Sequence, residues 1–156
     1  MGIQFEVKRT LPVPKQEAYR ALIDLDSAEQ WMQGLVRIER DDLGLLKEGS
    51  QWRETRKMFG KEATEFFEVA ELEEPDKVVV SCDGTKGTTG KGEFVFTYLL
   101  KQAGEQTDVT LLGEIKGLNG LSKWFGKLMV GPFKKACAKD LDSLHDYFEK
   151  KSFTKD

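Results

Sequence analysis

The first chemistry the sequence offers is a carboxylate and a guanidinium set two residues apart. Between 50 and 59, Gln51, Arg53, Thr55 and Lys57 alternate with Trp52, Glu54, Arg56 and Met58. Side chains two apart in a strand share a face, and only the Trp52/Met58 side carries the apolar anchors that an inward face needs. Glu54 and Arg56 then point inward, side by side, where they can pair. A buried pair is costly to desolvate unless its geometry offsets the loss. Tyr98, in the aromatic and β-branched run 94–100, adds a phenol whose hydroxyl needs a partner when buried. Glu54, Arg56 or a ligand oxygen can be that partner. As base, stabiliser of negative charge and proton donor, Glu54, Arg56 and Tyr98 would form an acid–base site. As polar fixers in an apolar concavity, they would orient a bound small molecule. The plainer alternative is a structural ion pair or a wet rim.

Other catalytic groups are scarce. His145 is the single histidine, and Cys82 and Cys137 lie far apart, reading as small buried hydrophobes. That set cannot build a His/Cys zinc site, and no nucleophile elbow supports a hydrolase triad. The loop from Gly84 to Gly92 lacks the Walker spacing and precedes a strand, so a phosphate site is not expected; it reads as a mobile hairpin tip. No metal and no cofactor is expected. Twenty-four Lys plus Arg against 27 Asp plus Glu leave a charge of −3, which gives nucleic acid no basic face to bind. No apolar run approaches the roughly 18 residues of a membrane span, and the start lacks a secretory h-region. The expectation is a cytoplasmic monomer or weak homodimer without stable membrane insertion.

The elements that must position these residues follow from period. Ile3, Phe5 and Val7 alternate with polar residues as in a half-buried strand, and Pro12 and Pro14 end it. Helical spacing then predicts two short helices, 15–25 and 27–33, the second carrying Trp31 and closing at Gly34. Strands are predicted near 36–39, 50–59, 61–72, 78–82, 94–100 and 109–115, joined by short turn-rich connections that favour an antiparallel meander. The face of Phe66 and Phe67 stays open. After Gly117, Leu121, Trp124, Phe125, Leu128 and Met129 follow helical spacing, and Phe133, Ala136, Cys137, Leu141, Leu144 and Phe148 continue one stripe. Gly131-Pro132 predicts a kink or break. The whole is an α+β chain with one domain over 1–150 and a flexible tail over 151–156. With one stripe to cover a broad sheet, the sheet must curl around the helix and enclose a hollow.

The order strand, two short helices, meander and long terminal helix resembles the Bet v 1-like or START-like helix-grip (SRPBCC) superfamily, written β-α-α-β(6)-α. The stretch Glu48-Gly49-Ser50-Gln51-Trp52-Arg53-Glu54-Thr55-Arg56-Lys57-Met58-Phe59-Gly60, with Val69-Ala70-Glu71-Leu72-Glu73-Glu74-Pro75, resembles its bacterial polyketide cyclase/dehydrase branch. The resemblance implies a hydrophobic small-molecule partner, such as a lipid, quinone or aromatic polyketide, held between sheet and long helix. Its alternatives are a cyclase or aromatase using Glu54, Arg56 and Tyr98, and an interaction protein similar to the Hsp90-activator branch. Candidate lining residues are Trp52, Glu54, Arg56, Met58, Phe94, Phe96, Tyr98, Leu111 and Gly113. Gly113 would leave room for a ligand or for Trp124. By the resemblance, Trp31, Trp124 and Leu128 frame the mouth.

Overall fold

Alternating apolar and polar residues put one face of each strand inward, and short connections pair each strand after the first with the next. The structure, a computed structural model, describes residues 2–58 and 60–153. Its elements are β1 (Ile3–Leu11), α1 (Lys15–Leu22), a 3₁₀ turn (Leu25–Gln30), β2 (Leu35–Arg40), β3 (Gln51–Met58), β4 (Lys61–Glu73), β5 (Lys77–Asp83), β6 (Glu93–Ala103), β7 (Gln106–Lys116) and α2 (Leu121–Phe153). β2 to β7 form an antiparallel meander and β1 joins β7, giving one seven-stranded sheet in the order β1-β7-β6-β5-β4-β3-β2. This is the helix-grip architecture expected. Phe59 of the quoted motif and residues 154–156 of the expected tail lie outside the described residues; the rest of that tail, 151–153, is the last turn of α2.

Register assigns the inward face. Ile3, Ile115, Phe94, Cys82, Phe67 and Trp52 form one row across six strands. Phe5, Gly113, Phe96 and Val80 form the next row, and Val7, Leu111, Tyr98 and Val78 the one after. Phe67 therefore faces inward, stacked on Trp52 with ring centroids 5.5 Å apart. Phe66 faces outward, with the Arg53 guanidinium 5.4 Å and the Lys86 ammonium 4.7 Å from its ring centre. A bulge between Val69 and Glu71 shifts the register of β4 against β5, the kind of insertion that bends a long strand.

Three expectations are corrected. The second short helix is a 3₁₀ turn over Leu25–Gln30, not an α-helix over 27–33, and α1 stops at Leu22. Asp24 caps the turn by accepting from the Asp26 amide at 3.1 Å. Six residues leave too little length for a regular α-helix to propagate. The loop after β5 is tied to β4: the Thr88 amide donates to the Thr64 carbonyl at 2.8 Å, and Thr89 donates twice to Glu65.

The third correction concerns α2. The helix runs unbroken through Pro132, and its apolar residues form two stripes, not one. At about 100° per residue, Val130, Phe133, Cys137, Leu141, Leu144 and Phe148 share a face, and Leu141, Leu144 and Phe148 are buried in the core. Leu121, Trp124, Phe125 and Leu128 lie on the opposite side and are 82%, 60%, 61% and 57% exposed. The far side of this first half is held close to the sheet by Gly126, whose missing Cβ would stand 3.1 Å from Ile3 Cδ1.

Gly113 has a packing role. A Cβ there would collide with the ring of Phe5, so the vacancy expected for a ligand or for Trp124 is filled by Phe5. Gly113→Ala is expected to destabilise the protein by about 1–3 kcal/mol through overpacking, a fall in melting temperature of about 2–4 °C per kcal/mol for a chain of this size. Phe5→Leu combined with Gly113→Ala should recover part of the loss. Equal melting temperatures for Gly113→Ala and wild type would refute the contact.

Candidate functional site

Period-two geometry on β3 delivers the pair the sequence suggests and then exceeds it. Trp52 and Glu54 are each only 5% exposed, while Gln51 and Arg53 face solvent. The Trp52 indole donates to Glu54 Oε1 at 3.3 Å, and Arg56 Nε donates to Glu54 Oε2 at 2.6 Å. Arg56 Nη1 reaches across to α2 and donates to Asp140 Oδ2 at 2.7 Å. The other oxygen of Asp140 accepts from the Gln33 amide at 3.0 Å, and the Gln33 side chain donates to Ser143 Oγ at 3.0 Å. One guanidinium thus joins β3, α2 and the segment after the 3₁₀ turn.

The electrostatics follow from burial. Burial alone would lower the Arg56 pKa, but Glu54 and Asp140 together raise it above its ordinary value. Burial raises the Asp140 carboxyl, because attraction to Arg56 is not enough to offset it and Glu54 adds repulsion. The Cys137 thiol, in the same neighbourhood, is pushed up to about 12 by burial and then by Asp140. Cys82 is also pushed up to about 12, by burial first and then by Glu65 and Glu54. Neither thiol is poised as a nucleophile.

Tyr98 lies within the field of this cluster. Its pKa is raised by burial first, then by Cys137 and Asp140. Among the described residues, its hydroxyl has no hydrogen-bond partner. The neighbouring walls are apolar. Phe133 of α2 contacts Phe5, Phe94 and Phe96 at ring-centroid distances of 5.8, 5.6 and 5.9 Å. Because α2 packs along β1, the inward side chains Phe67, Val80, Phe94, Phe96 and Tyr98 are only half-buried.

The remaining expected positions divide. Leu111 is 1% exposed core beneath Tyr98, and Met58 is half-buried at the end of β3. Trp31 is 5% exposed, and its buried indole nitrogen has no partner among the described residues. It does not frame a mouth with Trp124. Gln33, two residues on, sits at Asp140 and Ser143, and Trp124 is 16 residues upstream of Asp140, about 24 Å along the helix. Trp124 and Leu128 lie on the exposed side of α2, away from the sheet. An open cleft of about 800 Å³ also borders the β2 edge, lined by Leu25, Glu29, Ile38, Arg40, Trp52 and Phe66 among others.

Sequence reasoning missed Asp140, Gln33, Glu65 and Phe133. Asp140 carries a readable signal: it lies between Cys137 and Leu141/Leu144 on the core-facing stripe, where an unpaired carboxylate would be untenable. Glu65 is set opposite Glu54 across the β3–β4 ladder. Its Oε1 accepts from Thr89, and its buried Oε2 has no partner among the described residues.

Comparison with known proteins bears on this geometry. The family profile described as polyketide cyclase / dehydrase and lipid transport matches residues 2–149. No curated protein matches the chain by sequence. Among solved structures, ginseng major latex-like protein 151 from Panax ginseng superposes with a TM-score of 0.77 at 12% identity, covering 94% of this chain and 97% of that one. The Mll3558 protein from Rhizobium loti gives 0.72 at 14% identity, covering 94% and 96%. DynU16, from the dynemicin biosynthetic locus, gives 0.68 at 20% identity over 94% of this chain and 47% of its own. At these identities the likeness carries the fold and leaves function to the site.

The charge cluster makes two expectations. Arg56→Met leaves two buried carboxylates without their cation and should cost about 3–5 kcal/mol, read by urea denaturation. Asp140→Asn tests the pH dependence. A raised pKa in the folded state means that folding binds the proton more tightly, so ionising Asp140 erodes stability as pH climbs from 3.8 through the raised value. The variant has no such titration, so the stability difference should move in its favour over that interval. A difference that stays flat, or moves toward wild type, would contradict the assignment.

Proposed function

We propose that this chain, which belongs to the polyketide cyclase / dehydrase and lipid transport family, binds a neutral, largely apolar small molecule on the concave side of its sheet beneath α2. One observation carries the reading. Phe67, Val80, Phe94, Phe96 and Tyr98 face the helix yet stay half-buried, and they end at an unpartnered phenol beside a charge cluster. Apolar walls with one convergent polar group are what a small-molecule site requires.

The cluster also selects. Glu54 and Asp140 outweigh the single Arg56, so a carboxylate headgroup would meet excess negative charge in a low-dielectric setting. A quinone, aromatic ketone or other neutral oxygen would instead accept from the Tyr98 hydroxyl. Binding is favoured over cyclase chemistry because both oxygens of Glu54 are engaged, by Trp52 and by Arg56. An arginine ion pair and an indole hydrogen bond hold that carboxylate in place, as suits a group that orients a ligand.

Thermal-shift and titration measurements with a naphthoquinone, a polyphenol and palmitate test this reading. The neutral aromatics should raise the melting temperature more than palmitate does. Tyr98→Phe should weaken their binding by about five- to tenfold, the worth of one hydrogen bond, while leaving the unliganded protein as stable as wild type. A panel with no shift, or palmitate binding as tightly as the quinone, would defeat it.

A further inference from the structure

Beyond the concave side of the sheet, the largest unexplained feature is the outer face of the first half of α2. Leu121, Trp124, Phe125, Leu128 and Met129 are 82%, 60%, 61%, 57% and 43% exposed, in consecutive turns on one side. Scattered surface apolar residues need no account, but a contiguous stripe of this kind marks an interaction site. The core does not lack the stripe, because the opposite face already supplies Val130, Phe133, Cys137 and Leu141 to the sheet.

Charge identifies the partner. Between Glu114 and Asp140 the only charged residues are Lys116, Lys123, Lys127, Lys134, Lys135 and Lys139. Without those six the chain would carry −9 instead of −3, so the basic character is concentrated here on an otherwise acidic protein. Helical spacing runs the exposed apolar line directly into Lys135 and Lys139, with Lys127 on its flank. Lys91, from the loop before β6, adds a cation at the helix start, donating to Ser122 Oγ at 3.2 Å. Among the described residues, Lys123, Lys127, Lys134, Lys135 and Lys139 have no carboxylate partner.

From this we infer that the first half of α2 is a docking surface for an anionic lipid bilayer, lying flat with Trp124, Phe125 and Leu128 in the headgroup region. Tryptophan, phenylalanine and leucine on one side with lysines beside them is the composition of interfacial helices, and lysine stems lie along apolar surface while their ammonium groups stay with the phosphates. The face is a convex ridge, which a fluid surface receives without a matching groove. A second copy is disfavoured because pairing the ridge with itself would bring like-charged lysines together. Among the described residues, no helix is long and apolar enough to cross a membrane, so the contact is peripheral. It stands on the helix alone, whether or not the concave side of the sheet holds a ligand.

Vesicle co-sedimentation tests it, with phosphatidylcholine alone and with phosphatidylglycerol added to about 30 mol%. Binding is expected only to the anionic vesicles and should weaken with salt. Trp31 and Trp52 are each 5% exposed, so a blue shift of emission on binding reports Trp124. Trp124→Ser with Phe125→Ser, or Lys127→Glu with Lys135→Glu, should each lower the apparent affinity by about tenfold or more. These positions are exposed, so circular dichroism and melting temperature should stay at wild-type values. Absence of binding to anionic vesicles would overturn the assignment, as would binding that survives both double variants. So would a concentration-dependent dimer that Trp124→Ser dissolves, which would give the face to a second copy.

Discussion

A single guanidinium fixes how this molecule is put together. Arg56 is held by Glu54 on its own strand and by Asp140 on α2, and all three side chains are largely withdrawn from water. Removing charges from water is so costly that the native state must keep them in contact. The contact therefore acts as a register mark. It sets the rotation of α2 about its axis and its position along β3, since sliding one turn would leave Asp140 and Arg56 each buried alone. Arg9 adds a contact from the other side, Nε 2.7 Å from Asp142 Oδ1, though this solvent-exposed pair is worth little beside the buried one. The second half of the helix is thereby strung between strands near opposite ends of the sheet.

That fixed rotation explains why the two halves of α2 differ. Once Asp140 faces Arg56, Cys137, Leu141 and Leu144 must face the sheet, and Phe133 must enter the aromatic row of Phe5, Phe94 and Phe96. The same rotation turns Trp124 and Leu128 outward. The exposed stripe is a consequence of helical geometry acting on a sequence with two apolar phases, not of a helix that failed to pack. It also keeps the helix along β1, which leaves the concave side of β4 to β6 only partly covered.

Strand faces were legible because a period of two leaves no choice: Trp52 and Glu54 must share a side, and so must Arg53 and Lys57. The Glu54–Arg56 pair follows from that alternation alone. Helix faces were less legible, because 3.6-residue spacing tolerates drift. Met129 to Phe133 keeps an i, i+4 step even though the apolar direction has swung to the other side, so two stripes read as one. The Phe66/Phe67 assignment required the β3–β4 register, a long-range property. Gly113 could be read as a vacancy, but which ring fills it depends on β1 pairing with β7, more than 100 residues apart in sequence. Asp140 was the one missing partner with a local signature, an acid set within the core-facing stripe.

The uneven distribution of charge ties these features together. The sheet interior holds two carboxylates on one guanidinium, with Glu65 opposite Glu54, and is therefore biased against anions. The outer ridge of α2 is biased toward them by lysines that, among the described residues, no carboxylate neutralises. Net charge near zero would conceal both, since they differ in sign and in dielectric setting. A charge in the buried Arg56 cluster acts at short range with little screening, whereas the ridge acts through water and is attenuated over about 8–10 Å at physiological salt. In the roles proposed for them, the first kind of charge would discriminate among bound molecules and the second would select the surface that the protein approaches. One continuous helix carries both because Asp140 sits where its basic run ends and its core-bound half begins.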